Sequence, residues 1–143
     1  MAEKDDQKGM RKGLTRYGDD EFALFLRKSF IKGAGYGDDA LDRLVIGIAD
    51  TSSDFNPCHG NSEELIEQVR AGVLAAGGLP MAFPTISLHE SFAYPTSMYL
   101  RNLMAMDTEE MLKSLPVDAV VLVGGCDKTV SYTHLTLPTK RSV

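Results

Sequence analysis

Two short loops contain the residues of this sequence that are best suited to chemistry, at 54–61 and 124–129. They hold the only two cysteines of the chain, Cys58 and Cys126, and crowd acidic, basic and turn-forming residues around them. A cysteine that merely fills a core does not need such neighbours, whereas a thiolate that binds a metal does. The two loops therefore indicate an inorganic centre.

The segments that must position these loops are typical of an α/β domain, with a parallel sheet and flanking helices. Short apolar runs rich in β-branched residues predict three strands, at 44–49, 80–87 and 117–123. Amphipathic spacing predicts three helices, at 19–31, 62–76 and 94–114. From the first strand onward the order is β-α-β-α-β, which favours parallel strands joined by helical crossovers.

Side-chain patterns add detail to these helices. The first should bury an apolar stripe and begin at an acidic cap, the residues being Phe22, Phe25, Leu26 and Phe30 with Asp19 or Asp20. The second should be capped by Ser62, bury Leu65, Val69 and Val73, and end at Gly77-Gly78. The third is expected in one piece, or in two with a new start at Asp107 or Thr108. Pro84 suggests that the second strand lies at an edge of the sheet or carries a bulge.

Each predicted strand ends in a polar loop. Because ligands bind beyond the carboxyl ends of the strands in open parallel sheets, these loops should meet on one rim. The side chains expected there are Cys58, His59, His89, Glu90, Cys126, Asp127 and Lys128. Taken alone, each has a plainer explanation, such as a buried thiol, a turn-capping histidine or a surface lysine. Their convergence favours a site.

The ligand types on this rim differ in softness. Thiolates prefer iron–sulfur clusters, zinc or copper(I), whereas carboxylates prefer magnesium, calcium or manganese. The adjacent Cys126 and Asp127 therefore suggest two inorganic centres side by side. Two cysteines complete neither a cluster nor a tetrahedral zinc site, so further ligands must come from elsewhere.

Five sequence blocks carry a resemblance to a known family. They are Asn56-Pro-Cys-His59, Phe83-Pro-Thr-Ile-Ser87, His89-Glu-Ser91, Arg101-Asn-Leu-Met-Ala-Met-Asp107 and Gly124-Gly-Cys-Asp-Lys-Thr129. Over about residues 25–129 the chain resembles the dihydroxy-acid and sugar-acid dehydratases, the IlvD/Edd family. Asn-Pro-Cys-His and His-Glu-Ser resemble the aldonic-acid branch (arabinonate, xylonate and similar acids). The branched-chain branch more usually has Thr-Pro-Cys-Asn and Ser-Asp-Gly.

The resemblance implies two cofactors. An iron–sulfur cluster would be held by three cysteines, of which Cys58 and Cys126 match two, with 2Fe–2S favoured and 4Fe–4S as the alternative. Mg²⁺ would be held by Glu90, Asp127 and a carbamylated Lys128. The resemblance also assigns His59 and Ser91 to substrate binding. The third cysteine and the catalytic base, a serine, match nothing in this chain, so no catalytic residue is assigned.

The implied activity is that of a hydro-lyase, which converts a 2,3-dihydroxy acid, here an aldonic sugar acid, to a 2-keto-3-deoxy acid. One alternative is the dihydroxy-acid dehydratase of branched-chain amino-acid synthesis, and another is a non-catalytic iron–sulfur or metal-binding module. Such a module would need a full ligand set and no magnesium site. A zinc-binding interaction domain would need Cys-x-x-Cys pairs, which the chain lacks.

Composition limits partners and compartment. The chain has 143 residues, 43% of them hydrophobic, and a net charge of −5, so one domain is expected and no nucleic-acid footprint is present. No run is apolar enough for a membrane span, and two cysteines without a secretion signal favour the reducing cytoplasm. The expected partner is a small sugar acid, with homo-oligomers for the full-length protein.

Three segments are expected along the chain. Residues 1–18 should form a polar arm, loose up to residue 15, followed at 19–130 by part of a cluster-binding α/β domain. Residues 131–143 fit neither a helical nor a strand pattern and are predicted to be a non-native tail. The chain is accordingly predicted to be an inactive N-terminal fragment of a dehydratase.

Overall fold

The computed structural model of the protein describes residues 7–14 and 18–129, which form one three-layered unit of helices around a sheet. The helices are α1 (Asp20–Gly33), α2 (Ser62–Ala75) and α3 (Ser97–Ser114). The strands are β1 (Val45–Asp50), β2 (Leu79–Pro84) and β3 (Ala119–Leu122). No helix in this part of the chain is long and apolar enough to cross a membrane.

The sheet is parallel and has the order β2-β1-β3. Val45 pairs with Leu79, and Ile46 pairs with both Pro80 and Ala119, so the three carboxyl ends lie side by side. This confirms the predicted α/β class with a parallel sheet. Pro84 closes the edge strand β2, where the loss of an amide donor is tolerated, in agreement with the edge position expected from the sequence.

The core consists of three apolar clusters around the central strand β1. The largest contains Met10, Ile31, Ala40, Leu41, Val45 and Leu79. A second joins Ile48 to Ile66 of α2 and to Val123, and a third joins Leu88 to Met104 of α3. Central position explains why β1 is apolar on both faces: its residues pack against helices on either side.

Helix α1 begins where the sequence indicated, with the Asp19 carboxylate accepting from the backbone N–H groups of Glu21 and Phe22. The predicted apolar stripe is wrong, however, because Phe22, Phe25 and Phe30 are exposed. The helix instead buries the smaller Ala23 and Ile31. Residues 9–11 and 38–42 contact this side of α1, where Ile31 packs with Met10, Ala40 and Leu41.

Helix α2 agrees with the predicted pattern only in part: Val69 packs against the core as expected, but the cap and the first buried apolar position differ. Asn61, not Ser62, occupies the N-cap, and Ser62 is buried in the first turn. Leu65 is exposed, whereas Ile66 is buried against β1 and β3. The termination is as predicted, since Gly77 adopts a φ of +83° and its N–H bonds to Leu74 O.

Helix α3 is a single helix capped by the Thr96 hydroxyl, so the break considered near Asp107 is absent. Thr108 is buried inside the helix, where its hydroxyl bonds to Met104 O at 2.9 Å. The N-terminal arm also differs from expectation: residues 7–14 are not loose, because Met10 and Leu14 are buried and the Arg27 guanidinium bonds to Met10 O. The predicted non-native tail, 131–143, lies outside the described residues.

Candidate functional site

The loops that follow β1 and β3 touch each other. Cys58 lies in a 3-10 turn, Pro57–His59, and Cys126 lies four residues after the end of β3. A Cβ added to Gly125 would lie 2.4 Å from Cys58 O, so the backbones of the two loops are in direct contact. Both thiols are free. The prediction that Cys58 and Cys126 share one rim is confirmed.

Two carboxylates lie on the same rim and are bridged by a lysine. Lys128 Nζ is 3.2 Å from a Glu90 oxygen and 3.0 Å from an Asp127 oxygen. The Cys126 thiol donates to the other Asp127 oxygen at 3.4 Å. The structure therefore brings together the predicted soft donors and the predicted hard donors. Asp127 contacts the Cys126 thiol through one oxygen and the Lys128 ammonium through the other.

The charges on the rim shift one another's titration. Hydrogen bonds with Asp127 and then Glu90 raise the pKa of Lys128. Ser97 and then Lys128 lower the pKa of Glu90, and Lys128 and then Cys126 lower the pKa of Asp127. Burial is the main cause that raises the pKa of Cys126, with Asp127 and Cys58 adding to it. Near neutral pH the cluster is therefore an ammonium between two carboxylates.

Glu90 is held by a residue that the sequence analysis did not single out. Ser97, fully buried at the start of α3, donates its hydroxyl to a Glu90 carboxylate oxygen. Glu90 opens the 3-10 helix Glu90–Phe92. The only sequence signal for Ser97 was its position at a helix start, which does not reveal that its side chain turns towards Glu90.

A buried polar network ties the three rim loops together. Thr51 donates its hydroxyl to Val123 O at 2.9 Å, which joins the ends of β1 and β3. The Asn56 amide donates to Leu88 O at 2.9 Å and to Ser87 Oγ at 3.1 Å, which joins the loops after β1 and β2. Thr51 was absent from the predicted site because an isolated threonine after a strand gives no signal.

The two residues predicted to bind substrate occupy different environments. His59 is only 3% exposed, and its Nδ1 lies 2.8 Å from Thr51 O. Ser91 is exposed, and its N–H donates to His89 Nδ1 at 3.2 Å. Both lie at the rim, as expected, but the contacts of His59 are with protein groups. Substrate binding by either residue stays a prediction.

The donor chemistry of the rim fits the two implied cofactors in kind. Glu90 and Asp127 already bracket one cation, the Lys128 ammonium, as carboxylates bracket a hard metal ion. Cys58 and Cys126 offer the ligands that iron–sulfur clusters use. The set is incomplete in number, since no group of three His, Cys, Asp or Glu side chains among residues 7–14 and 18–129 is arranged to hold a metal ion.

Comparison with known proteins identifies the family. Residues 43–135 match the model of the dihydroxy-acid/6-phosphogluconate dehydratase N-terminal domain. The chain therefore belongs to the dihydroxy-acid/6-phosphogluconate dehydratase family, which agrees with the resemblance noted in its motifs. The match covers all the rim loops, and members of this family generally depend on an iron–sulfur cluster and Mg²⁺.

Three curated relatives illustrate the range of named activities among similar proteins. The chain is 44% identical over 114 residues to an L-arabinonate dehydratase of Rhizobium leguminosarum bv. trifolii, covering 79% of this chain and 20% of the relative. It is 40% identical over 110 residues to a D-xylonate dehydratase of Caulobacter vibrioides, covering 77% and 18%. It is 36% identical over 110 residues to a dihydroxy-acid dehydratase of Methanobrevibacter smithii, covering 72% and 20%. The chain thus spans about a fifth of the length of these relatives.

Proposed function

We propose that this chain is part of a hydro-lyase that dehydrates an aldonic sugar acid to a 2-keto-3-deoxy acid. The observation that carries the proposal is the contact between soft and hard donors on one rim: Cys126 bonds to Asp127, and Asp127 pairs with Lys128. Removal of water from a 2,3-dihydroxy acid needs two activations, one at C2 and one at the 3-hydroxyl. Two adjacent centres supply them in one place.

Each set of residues has its own task. Cys58 and Cys126 would hold the iron of a 2Fe–2S cluster, and Glu90 and Asp127 would hold Mg²⁺. When bound, these groups supply Lewis acids for the substrate carboxylate with its 2-hydroxyl and for the departing 3-hydroxyl. Ser97 keeps one Glu90 oxygen in place by a hydrogen bond. The Lys128 ammonium offsets part of the negative charge of both carboxylates in this structure, and a carbamylated Lys128 would be the third Mg²⁺ ligand.

A sugar acid is favoured over a branched-chain dihydroxy acid as substrate. Two of the relatives described above are named for arabinonate and xylonate and are more similar to this chain than the dihydroxy-acid dehydratase is. Two free thiols that serve as ligands suit a reducing compartment, so we place the protein in the cytoplasm. Homo-oligomer formation remains a prediction for the full-length protein.

The test compares this chain with a version extended to the length of its relatives. Both are reconstituted with iron, sulfide and Mg²⁺ and assayed for 2-keto acid from L-arabinonate, D-xylonate and a branched-chain 2,3-dihydroxy acid. We expect product only from the extended chain, because two thiols do not complete a cluster. Its kcat/KM should be at least about tenfold higher for a sugar acid than for the branched-chain acid. The opposite preference would contradict the proposed substrate.

Variants of the extended chain separate the two centres. Cys126→Ser should remove both the visible absorbance of the cluster and turnover. Asp127→Asn should keep that absorbance but lose activation by Mg²⁺. Asp42→Asn is the matched control, since Asp42 is exposed and pairs only with Arg11 in the described part of the chain. Turnover by Cys126→Ser at the unmodified rate would show that this thiol is not a cluster ligand.

A further inference from the structure

The loops that carry Cys58 and Cys126, residues 54–61 and 124–129, are called the thiol loops here. They meet at the side chain of His59. Gly125 lies against the peptide that joins Cys58 to His59, as shown by the 2.4 Å from its added Cβ to Cys58 O. The same Cβ would lie 3.3 Å from Cδ2 of His59. The imidazole edge and the Cys58 carbonyl therefore form the surface on which the Cys126 loop rests.

The His59 ring is fixed in orientation. Its Nδ1 is 2.8 Å from Thr51 O and 3.1 Å from the Asn56 amide nitrogen. The carbonyl is the nearer of the two and can only accept, so we assign the proton to Nδ1. Thr51 in turn bonds to Val123 O, two residues before Gly125. The ring is thus wedged between the end of β1 and the loop after β3, and it cannot rotate without breaking a buried hydrogen bond.

The other ring nitrogen argues against direct contact with a ligand. His59 Nε2 is shielded from solvent and has no hydrogen-bond partner among the described residues. With the proton on Nδ1, this nitrogen is an acceptor that the surrounding protein closes off from solvent. The ring therefore acts here through its packing and its bond to Thr51.

We infer that His59 is a positioning residue that holds Cys58 and Cys126 as a preformed pair of thiols, able to bind a thiophilic centre with both sulfurs at once. The use of this pair for an iron–sulfur cluster rests on the proposed function. The geometry of the pair does not, and it is open to test in this chain without iron.

The probe is phenylarsine oxide. Its arsenic forms two As–S bonds with two neighbouring thiols, and its oxygen leaves as water with both thiol protons, without oxidation or reduction. Because the chain has only two cysteines, the stoichiometry is unambiguous. We expect one arsenical per chain with both thiols consumed, and at least about tenfold weaker binding by Cys58→Ser, which lacks the second, locally concentrated thiol.

Three substitutions of His59 test the positioning role. An asparagine amide can stand in for the Nδ1–H group, so His59→Asn should retain the affinity within about threefold. His59→Ala and His59→Gln, which lose the bond to Thr51 O, should bind the arsenical at least about tenfold more weakly. The control is His89→Ala, because the ring of His89 packs on Phe92 with centroids 5.5 Å apart and its Nδ1 accepts from Ser91 N, whereas His59 bonds to Thr51 O. It should bind like the unmodified chain.

Circular dichroism and urea unfolding accompany each titration, so that lost folding is distinguished from lost positioning. Folded His59→Ala with unchanged affinity would overturn the inference. If His59→Ala does not fold, His59→Gln decides in the same way. Unmodified chain that binds no more tightly than Cys58→Ser would show that the thiols are not paired, and this result would leave the proposed dehydratase activity to its own assay.

Discussion

At the amino end of the sheet one carboxylate accepts from three donors, whereas at the carboxyl end two buried polar atoms have no hydrogen-bond partner among the described residues. Asp118, just before β3, accepts from Gly9 N at 3.1 Å and from Val45 N at 2.8 Å. Lys12 Nζ lies 2.6 Å from the same carboxylate. This bonding fastens the N-terminal arm to the first residues of β1 and β3.

The carboxyl end has a hydrogen-bond network of its own, but it also buries acceptors that lack a partner among the described residues. His59 Nε2 and Asn56 Oδ1 are buried without a partner in the described residues, and both thiols are free. Glu90 and Asp127 remain mostly exposed. Unsatisfied buried acceptors lower stability, so a fold that retains them at one end needs compensation elsewhere. The comparison teaches that stability and coordinating capacity are located at opposite ends of the same three strands.

The largest expected effect comes from breaking the amino end. Asp118→Ala should lower the free energy of unfolding by about 3 kcal/mol, because two backbone N–H groups and one ammonium lose their acceptor. Urea unfolding at pH 7 measures this loss. The control is Asp42→Ala, which removes an exposed ion pair with Arg11 and should change stability by less than about 0.5 kcal/mol. Equal losses in the two variants would contradict the comparison.

Gly125→Ala changes the carboxyl end of the sheet and should lower the free energy of unfolding less than Asp118→Ala does. The new methyl group would meet the Cys58 carbonyl at 2.4 Å, so one loop must move, at about 2 kcal/mol. Gly72→Ala is the matched control, because nothing lies within 4 Å of its added Cβ inside α2, and it should stabilise by roughly 0.5–1 kcal/mol. Thermal unfolding of both variants gives the sign of each effect. Stabilisation by Gly125→Ala would show that the loops are not in contact.

A still smaller loss of unfolding free energy is expected from Thr51→Val, which removes the hydroxyl that links the ends of β1 and β3. One buried hydrogen bond is worth about 1 kcal/mol. Thr108→Val is the control: Thr108 is equally buried, but its hydroxyl bonds to the carbonyl four residues earlier in its own helix, so its removal should be close to neutral. Urea unfolding of the two variants separates the effects, and a larger loss in Thr108→Val would count against the cross-strand role of Thr51.

The sequence predicted the order of strands and helices along the chain and the convergence of the rim, because apolar periodicity marks each strand. It did not predict the sheet order β2-β1-β3. Cys58, Glu90 and Cys126 lie in the loops that follow the three strands, four to eight residues after the strand ends, so their neighbourhood was predictable. Side-chain burial within a helix was not. Phe25 and Phe30 fit an apolar stripe by spacing, yet the packing of distant segments places Ile31, on another face of the helix, inside.

Long-range hydrogen bonds were equally beyond the sequence. Asp118 reads as an ordinary polar residue at the start of a strand, yet its partners Gly9 and Val45 lie 109 and 73 positions away. Ser97 donates to Glu90 from seven residues away, at the start of a different helix. Residue type indicates what a side chain can bind, whereas the partner is set by tertiary contacts that no local pattern encodes.

The smallest expected effect is the dependence of stability on pH. It distinguishes the carboxylate at the amino end of the sheet from the exposed carboxylates at the carboxyl end. Burial alone would raise the pKa of Asp118, but the bonds from Lys12, Val45 and Gly9 together hold it below its usual value of 3.8. A lowered pKa in the folded state means that the contribution of Asp118 is present above about pH 4 and is lost as the pH falls through the folded value. Unfolding measured between about pH 5 and pH 2 should therefore show a steeper loss of stability in the unmodified chain than in Asp118→Ala.

The pKa values of Glu90 and Asp127 are also lowered, first by Ser97 and by Lys128 respectively, but these carboxylates are exposed, so added salt should suppress their contribution to the pH dependence. At about 1 M salt, the unmodified chain and Asp118→Ala should still differ in how the free energy of unfolding depends on pH. The corresponding difference between the unmodified chain and Asp127→Asn should vanish. A difference for Asp118 that disappears in salt would show that its carboxylate is as solvated as those of the rim.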